Sequence, residues 1–322
     1  MLRAMDSAVA GLRAHQNKLD VIGHNIANVN TAGYKSQSYM FKEAMYQTST
    51  NSTGGAGNTG GSGGVNAAQY GYGTMMGSIW VDMTASTPTQ MGGLTATIDG
   101  EGFFMTMPTV SSVPAGTSDD IKGSNFQYTR VGQFKIDSAG FLVDSNSNNF
   151  VYGFRPDGNN ALADPITFNE DQLVPIRVCA QNGDIADNNT IALAKSVKID
   201  NEGVITIGIE IPVTVNGVDT VEVKEAVIGQ VAVATFQNQE GLTKAGGSYY
   251  TASKADNSGI CQAKAPGKGA TSSLITGYVE ASNVDMAKEF SELITTQRGF
   301  QANTKIITVS DQILEELVNM KR

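Results

Sequence analysis

The sequence has few of the residues that build metal and redox sites. It holds 2 cysteines, Cys179 and Cys261, and 2 histidines, His15 and His24, in 322 residues. The cysteines lie too far apart for a Cys-x-x-Cys motif, and the two histidines would need distant carboxylates to complete a metal site. The sequence therefore predicts neither a metal nor a cofactor. Both cysteines are interpreted as ordinary small side chains, with a covalent link from Cys179 to a neighbouring chain left open.

Positive charge is also scarce. Lys and Arg number 22 against 31 Asp and Glu, a net charge of −9, and there is no basic run. This balance argues against nucleic-acid binding, because neutralising phosphates requires clustered Lys and Arg. The glycine-rich stretch 54–64 lacks the Gly-Lys-Ser/Thr ending of a phosphate loop, and no Gly-x-Ser-x-Gly or His-Glu-x-x-His motif occurs. Without a candidate acid–base pair or nucleophile, the sequence predicts a protein that is not an enzyme.

Long hydrophobic runs are missing as well. No stretch of about 18 apolar residues exists, so no membrane-spanning helix is predicted. The N-terminal stretch MLRAMDSAVAGLRAHQNKLDVIG has no continuous apolar core followed by a small-residue cleavage site, which is unlike a secretory signal. If the protein leaves the cell, we expect it to do so without losing a signal peptide.

Apolar residues do recur at steps of three and four at both ends of the chain, the spacing of an amphipathic helix. One helix is predicted from about residue 2 to 30, and another to about residue 320 with Ser282 or Asn283 as its N-cap. The C-terminal pattern is a heptad seam made of Met286, Phe290, Leu293, Gln297, Phe300, Thr304, Ile307, Asp311, Leu314 and Val318. A second apolar row lies beside that seam and consists of Ile306, Val309, Ile313, Leu317 and Met320.

Neither helix can bury so wide an apolar face alone. Two such helices can pair as a coiled coil and still leave a face uncovered, which requires further copies of the chain. Gln297 is interpreted as a polar residue that fixes the register of the seam. The predicted contacts between subunits are Leu2, Met5, Val9, Leu12, Leu19, Ile22 and Ile26 on the first helix, and Met286, Phe290, Leu293, Gln297, Phe300, Ile307, Leu314 and Leu317 on the second.

The middle of the chain is rich in β-like runs and turns. A glycine tract at 53–64 precedes runs such as LTATIDGEGFFMTM and VKIDNEGVITIGIEIPVTVNGVDTVEVKEAVIGQVAVATF. Hairpin turns are predicted at residues 201–203 and at Asn216-Gly217. The Met and aromatic residues between Tyr70 and Trp80 are expected to pack between a helix and the β body rather than to bind a sugar.

The stretch HNIANVNTAGYKSQ, residues 24–37, follows the N-terminal helix and contains nothing suited to catalysis. Asn25, Asn28 and Asn30 have side chains that can bond to backbone groups freed at a helix end. Gly33 can adopt the left-handed conformation there. We expect this segment to be a helix exit that fixes the angle at which the chain leaves the N-terminal helix.

These segments resemble the bacterial flagellar rod and hook family. The resemblance rests on MLRAMDSAVAGLRAHQNKLDVIGHNIANVNTAGYKSQ at the start and GYVEASNVDMAKEFSELITTQRGFQANTKIITVSDQILEELVNMKR at the end. Two stretches between them also match, GVNAAQYGYGTMMGSIWVDMTASTPTQMGGLTATIDGEGFF and GQVAVATFQNQEGLTKAGGSYYTAS. Together the four collinear matches cover roughly half of the chain. His24 departs from the family, whose members commonly carry asparagine at that place.

The resemblance implies an α+β fold, with long N- and C-terminal helices paired as a coiled coil, a central all-β domain and an extended connector. Residues 1–30 and 276–322 would form the inner coiled-coil domain, residues 31–90 the connector and residues 91–275 the β-rich outer domain. Many members carry an inserted second outer domain, which we expect to be absent or reduced here, around residues 155–200.

Within the family the chain is most similar to hook proteins. The resemblance implies a structural subunit that self-assembles into a curved helical tube, a universal joint that transmits motor torque to the filament; a distal rod subunit is the alternative. The implied partners are further copies of the chain, the distal rod protein, the hook–filament junction protein, the hook cap and the flagellar type III export apparatus. The implied location is the flagellum, outside the cell, after export without a cleaved signal and without insertion into a membrane.

Overall fold

The structure is a computed structural model that describes residues 2–55, 63–156, 167–178, 194–215, 218–268 and 271–320. The chain divides into two compact units. Unit 1 comprises Met1–Val29, Ser36–Asp82 and Val284–Arg322, and unit 2 comprises Asn30–Lys35 and Met83–Asn283. Both ends of the chain therefore belong to unit 1.

Long helices form near both ends of the chain. The α-helices of the described residues are α1 (Leu2–Ala27), α2 (Ser118–Gly123) and α3 (Met286–Asn319). In unit 1, α1 and α3 pack antiparallel, since Gly11 lies opposite Asn303 and His15 opposite Gly299. The predicted α+β class, with a helix at each end and a β-rich middle, is confirmed. Coiled-coil pairing of the two helices stays a prediction.

The start of α3 differs from the prediction. Ser282 or Asn283 as N-cap is wrong, because the helix begins after Asp285. The Asp285 carboxylate accepts hydrogen bonds from the backbone N–H groups of Ala287 at 2.9 Å and Lys288 at 3.3 Å. An acidic cap also interacts favourably with the positive end of the helix dipole, so Asp285 satisfies both needs of this terminus.

Unit 1 contains antiparallel ribbons among its described residues. Its strands are β1 (Gln37–Glu43), β2 (Tyr46–Thr50), β3 (Ala68–Gly71) and β4 (Thr74–Val81). β1 pairs with β4, and β2 pairs with β3. α1 packs against β1 and β4, where the Phe41 ring lies 5.3 Å from the His15 ring between centroids. The ribbons fall within residues 31–90, the predicted connector, whose residues the two units share.

Unit 2 is built on an antiparallel sheet. Its strands are β5 (Pro88–Gln90), β6 (Ala96–Ile98), β7 (Phe103–Met107), β8 (Val113–Pro114), β9 (Gln127–Thr129), β10 (Phe134–Ile136), β11 (Leu142–Asp144), β12 (Phe150–Pro156), β13 (Phe168–Pro175), β14 (Ala194–Ile199), β15 (Val204–Val215), β16 (Val218–Val231), β17 (Val233–Phe236), β18 (Thr243–Gly246), β19 (Tyr249–Thr251), β20 (Cys261–Lys264), β21 (Leu274–Thr276) and β22 (Tyr278–Glu280). The main path through the sheet is β14-β15-β16-β12-β7-β9-β19-β18. Separate pairs join β21 to β6 and β22 to β5.

The core of unit 2 lies on both faces of β7. Every residue of Phe103–Met107 is buried. Phe103, Met105 and Met107 belong to one apolar cluster, and Phe104 belongs to the other. Successive side chains of a strand point to opposite faces, so a strand that is buried at every position is covered on both faces. β7 is thus the central strand of unit 2, with apolar clusters on both of its faces.

One of the two predicted hairpin turns lies within the described residues. Residues 201–203 form the turn between β14 and β15, and Gly203 has φ of 73°, the left-handed conformation that favours glycine. Asn216-Gly217 lies outside the described residues, between strands that pair up to Val215 and Val218. Cys179 also lies outside them, whereas Cys261 is a buried free cysteine in β20.

Candidate assembly surfaces and helix-exit segment

α1 and α3 contact each other through small and polar residues. A Cβ atom added to Gly11 would lie 2.9 Å from the Asn303 amide, and one added to Gly299 would lie 2.7 Å from the His15 imidazole. Lys18 forms an ion pair with Glu292 at 3.0 Å. At two places along the contact, therefore, the absence of a side chain on one helix makes room for a polar side chain on the other.

The α3 side of this contact follows a regular spacing. Glu289, Thr296 and Ser310 are buried, and residues 289, 292, 296, 299, 303 and 310 all lie on the same face of the helix. This face, which we call the polar seam, lies one residue earlier than most positions of the predicted apolar seam. The structure therefore places polar and small residues of α3, rather than its large apolar ones, at the centre of the contact with α1.

The predicted subunit contacts occupy several environments. On α1, Ile22 is buried, Met5, Leu12, Leu19 and Ile26 are half-buried, and Val9 is exposed. The side chain of Leu2 lies outside the described part of the structure. On α3, Leu293, Phe300, Ile307 and Leu314 are half-buried, whereas Met286, Phe290, Gln297 and Leu317 are exposed. The half-buried residues of α3 border the polar seam, whereas the exposed ones are at most partly covered by the described part of the chain.

A second apolar surface of α3 is exposed at every position. We call it the outer row: Ile306, Val309, Ile313, Leu317 and Met320, whose exposed fractions range from 41% to 80%. At about 3.6 residues per turn, the outer row and the predicted apolar seam flank the polar seam on its two sides. Beyond residue 300 the back of the helix is polar, as at Gln301, Lys305 and Gln312. α3 thus carries apolar surface on both sides of its contact with α1.

The ribbons of unit 1 are also rich in exposed apolar groups. Tyr70, Tyr72, Met75, Met76 and Trp80 were expected to be packed, but their exposed fractions lie between 37% and 52%. Both strands of the β2–β3 ribbon are exposed at every position. A ribbon of two strands is at best marginally stable in water when nothing covers it. These surfaces, like the outer row, have the character of contact surfaces.

Asn25 is the best-anchored residue of the predicted helix exit. Its side chain is 1% exposed, donates to the Gln37 carbonyl at 2.8 Å and accepts from the Gln37 N–H at 2.9 Å. The same amide donates to Glu289 Oε1 on α3 at 3.1 Å. Burial raises the pKa of Glu289, and the hydrogen bond from Asn25 opposes that rise. One side chain therefore joins α1, β1 and α3 of unit 1.

The other predicted exit residues lie apart from Asn25. The Asn28 side-chain amide donates at 2.9 Å to the His24 carbonyl at the end of α1, which also accepts the Asn28 backbone N–H at 3.2 Å. Asn30 is exposed and belongs to unit 2. Gly33, also in unit 2, has φ of 65°, and a Cβ atom there would lie 2.7 Å from Val131. The four residues therefore act at separate places instead of forming one cluster.

Sequence analysis missed a buried ionic cluster in unit 2. Lys35, Arg130 and Glu280 have side chains that are 0–1% exposed. Lys35 Nζ lies 2.8 Å from Glu280 Oε1, and Arg130 Nε lies 2.7 Å from Glu280 Oε2. Burial alone would raise the pKa of Glu280, but Arg130 and Lys35 together hold it below its ordinary value. The residues are 245 and 150 positions from Glu280, so no local pattern indicates their contact.

Comparisons with known proteins show which family has this sequence and architecture. Residues 5–35 match the model described as "Flagella basal body rod protein", and residues 275–320 match "Flagellar basal body rod FlgEFG protein C-terminal". The flagellar basal-body rod protein FlgG of Bacillus subtilis is 35% identical over the whole of both chains. The FlgG protein of Caulobacter vibrioides is 30% identical over 98% of this chain and 97% of its own. The flagellar hook protein FlgE of Borreliella burgdorferi is 27% identical over the whole of both chains.

The chain belongs to the flagellar rod and hook family. It is a structural protein of the flagellum and not an enzyme. The described residues contain no group of three or more His, Cys, Asp and Glu that could hold a metal ion. Within the same residues, no helix is long and apolar enough to cross a membrane.

The two family models cover the segments that carry the geometry above. The match over 5–35 includes most of α1 and all four predicted exit residues, together with Lys35. The match over 275–320 includes Glu280 and the whole of α3. Arg130 lies in neither matched segment. The segments by which the family is recognised are therefore the helices of unit 1 and the chain immediately next to them.

Proposed function

We propose that this protein is a subunit of the flagellar axial structure that assembles with further copies of itself into a helical tube. The observation that carries the proposal is the outer row of α3, five large apolar side chains whose exposed fractions lie between 41% and 80%. Contiguous apolar surface of this kind marks an interaction site on a soluble protein. A second copy is the proposed occupant, since the relatives are rod and hook subunits.

In this proposal, α1 and α3 form the inner coiled-coil layer of the tube. The polar seam holds the two helices of one chain together, and the apolar surfaces on either side of it contact neighbouring copies. A contact between different surfaces of successive copies does not close on itself, so it produces a helical array. The predicted contacts, from Met5 and Leu12 to Phe290 and Leu317, then lie between subunits or at the edge of the intrachain seam.

The proposal also concerns which part of the tube, rod or hook, the chain belongs to. We favour the rod, since two of the full-length relatives described above are named basal-body rod proteins, at 35% and 30% identity. The hook, which the sequence resemblance implied, is the second candidate, and a hook protein that matches over the whole of both chains at 27% identity supports it. Either segment carries torque, but a hook must also bend while it rotates.

Assembly through the outer row can be tested with paired charge variants. Ile313→Glu with Leu317→Glu places two carboxylates in the outer row, whereas Gln312→Glu with Asn319→Glu places two on the polar back of α3. Negative-stain electron microscopy of the concentrated chains is the measurement. We expect tubes from the wild-type chain and from the back-face variant, and none from the outer-row variant. Tubes of normal width from the outer-row variant would refute this contact.

The shape of the wild-type tubes separates the two segments. Straight tubes support the rod, and uniformly curved tubes support the hook. The remaining partners implied by the sequence, which are the adjoining rod or hook proteins, the hook cap and the type III export apparatus, are part of this proposal. So is export without cleavage of a signal, which mass spectrometry of the N-terminus of the assembled protein would test.

A further inference from the structure

The ionic cluster of unit 2 lies where the chain enters and leaves that unit. The chain passes between the units at four places, after Val29, Lys35, Asp82 and Asn283. The unit 2 ends of these passages are the short segment Asn30–Lys35, the residues that follow Met83 and those that precede Asn283. Glu280 bonds to the first two of these stretches and itself begins the third.

Glu280 contacts each neighbouring stretch directly. Its backbone carbonyl accepts from the Gly33 N–H at 2.8 Å, and its Oε1 atom accepts from Lys35 Nζ at 2.8 Å. The same oxygen accepts from the backbone N–H of Ser86 at 3.0 Å. Lys35 Nζ also donates to the Thr84 carbonyl at 2.5 Å. Both groups of Glu280, carboxylate and carbonyl, are therefore used to hold these stretches together.

Further bonds join the stretches around Glu280. The Asn283 N–H donates to the Tyr34 carbonyl at 3.4 Å, and the Ser86 hydroxyl donates to the Ser282 carbonyl at 3.0 Å. The Ala281 N–H donates to the Thr87 carbonyl at 3.3 Å. The three stretches are thus bonded pairwise to one another and not only to Glu280.

Arg130 connects this cluster to the main sheet. It donates to Glu280 Oε2 from Nε, and from its two terminal nitrogens to the Gly102 carbonyl at 3.1 Å and the Gly100 carbonyl at 2.6 Å. It follows β9 directly, and its guanidinium lies 5.9 Å from the centre of the Phe103 ring on β7. The cluster is therefore anchored to the central strand of unit 2.

Buried ion pairs are a poor source of stability, because desolvation offsets most of their attraction and apolar residues would serve as well. What such pairs provide instead is geometric specificity, because their hydrogen bonds hold particular atoms at fixed positions. We propose that Lys35, Arg130 and Glu280 form a clamp that holds together all the stretches by which the chain leaves unit 2. Force carried along the chain then enters unit 2 at a single point, next to its central strand. This mechanical role rests on the proposed function, whereas the clamp itself does not.

Hydrogen exchange of the full-length chain tests the clamp without any assembly. The test variant is Glu280→Gln, which keeps the shape but removes the charge between two buried cations. The matched control is Glu225→Gln, whose residue pairs with Lys198 at 3.9 Å with both side chains at least 70% exposed. Lys35→Met is a second test variant, which leaves the Arg130–Glu280 pair in place.

We expect Glu280→Gln to increase exchange about a hundredfold in peptides covering residues 30–35, 83–87 and 280–283. Peptides covering β7 and β12 should remain unexchanged at the labelling times that resolve the three stretches, and every peptide of the control should stay within about twofold of wild type. Lys35→Met should show the same pattern with a smaller increase. Exchange of β7 and β12 at the same rate as the three stretches in Glu280→Gln would overturn the proposal, because the stretches would then open only together with the whole unit. Unchanged exchange in the three stretches would overturn it as well.

The mechanical role has a separate test. Cells that carry Glu280→Gln or Glu225→Gln as the sole source of this protein would be compared for swimming speed as the viscosity of the medium rises. We expect the clamp variant to stop at a lower viscosity than the control, with flagella still present. Equal performance would refute the mechanical role. If even the wild-type chain formed no tube, the proposed function would fail while the exchange result would still decide the clamp.

Discussion

The contact between α1 and α3 predicts that one substitution, glycine to alanine, has opposite effects at two helical positions. At Gly23 on α1, an added Cβ atom meets nothing within 4 Å. At Gly299 on α3, the added atom lies 2.7 Å from Cε1, 2.9 Å from Nε2 and 3.2 Å from Nδ1 of the His15 ring. Gly23→Ala should therefore stabilise unit 1, and Gly299→Ala should destabilise it.

The expected magnitudes follow from two competing effects. Alanine is favoured over glycine in a helix interior by about 1 kcal/mol, which is the expected gain at Gly23. At Gly299 the same gain is opposed by the displacement of the His15 ring, and overpacking of this kind costs about 1–3 kcal/mol. The ring cannot turn away easily, since it packs against Phe41 and its Nδ1 atom is buried. The net expectation for Gly299→Ala is a loss of about 1 kcal/mol.

The assay is urea unfolding followed by tryptophan fluorescence. Trp80 is the chain's 1 tryptophan and lies on β4 in unit 1, so its signal reports that unit. Burial and then Lys18 lower the pKa of His15, so pH 8 keeps its ring neutral during the measurement. The free energies of unfolding of the two single variants are compared with wild type.

A double-mutant cycle isolates the clash from helix propensity. In a His15→Ala background the ring is gone, so Gly299→Ala should become stabilising by about 1 kcal/mol, as at Gly23. The coupling free energy between the two positions should then be about 1–3 kcal/mol. If Gly299→Ala stabilises the wild-type background as much as Gly23→Ala does, the antiparallel register of α1 and α3 described here is wrong.

Three further predictions concern buried polar groups. Asn25→Ala should lower the stability of unit 1 by about 2–4 kcal/mol, because the Gln37 backbone and Glu289 lose buried partners. Asn28→Ala, at a more exposed site, should cost about 0.5–1 kcal/mol. Equal losses of the two variants in urea unfolding would contradict the anchoring role of Asn25. Burial raises the pKa of Asp144 from 3.8 to about 6, so the folded state binds the extra proton and the stability of unit 2 should fall as the pH rises from about 4 to 6. Thermal unfolding of unit 2 across that range should show this fall in wild type and much less of it in Asp144→Asn, and identical pH profiles would refute the assignment. Glu280 should have the opposite effect on the pH dependence of stability, because its pKa is lowered. Its contribution to the stability of unit 2 is complete above pH 4.5 and is lost as the pH falls below that value. Glu280→Gln should remove this acid sensitivity.

Amphipathic spacing predicted the helices of this protein because it is a local property. The apolar steps of three and four over residues 2–26 and 286–318 appear as α1 and α3, with ends that differ by a few residues. The same spacing could not show which face meets which partner. α3 has apolar residues over a wide arc, and the pattern favours the largest ones as the seam. In the structure, Gly11 and Gly299 shape the contact, and glycine carries no hydrophobic signal.

Contacts between distant parts of the chain were beyond sequence reasoning for a different reason. Lys35 and Glu280 both lie in stretches that carry the family resemblance, yet a lone lysine and a lone glutamate are ordinarily solvated surface charges. Only the sheet of unit 2 brings them together with Arg130. The N-cap of α3 was missed for a smaller reason, because Ser282, Asn283 and Asp285 are all good caps and the spacing of the apolar residues does not choose among them.

The separation of the polar seam of α3 from its apolar surfaces bears on how one subunit can be both a stable chain and a component of a polymer. If α1 and α3 were joined through their largest apolar residues, that surface would be consumed within the chain and little would remain for neighbours. The polar seam instead holds the helices through the close fit at Gly11 and Gly299 and through the Asn25–Glu289 and Lys18–Glu292 contacts, which few incorrect partners can supply. The apolar residues on both sides of the seam then remain available, and apolar burial, which depends on area and not on direction, can tolerate small shifts between subunits. The proposed torque-carrying tube needs fixed geometry within each subunit and some adjustment between subunits, and this distribution of polar and apolar residues along a single helix would serve both needs.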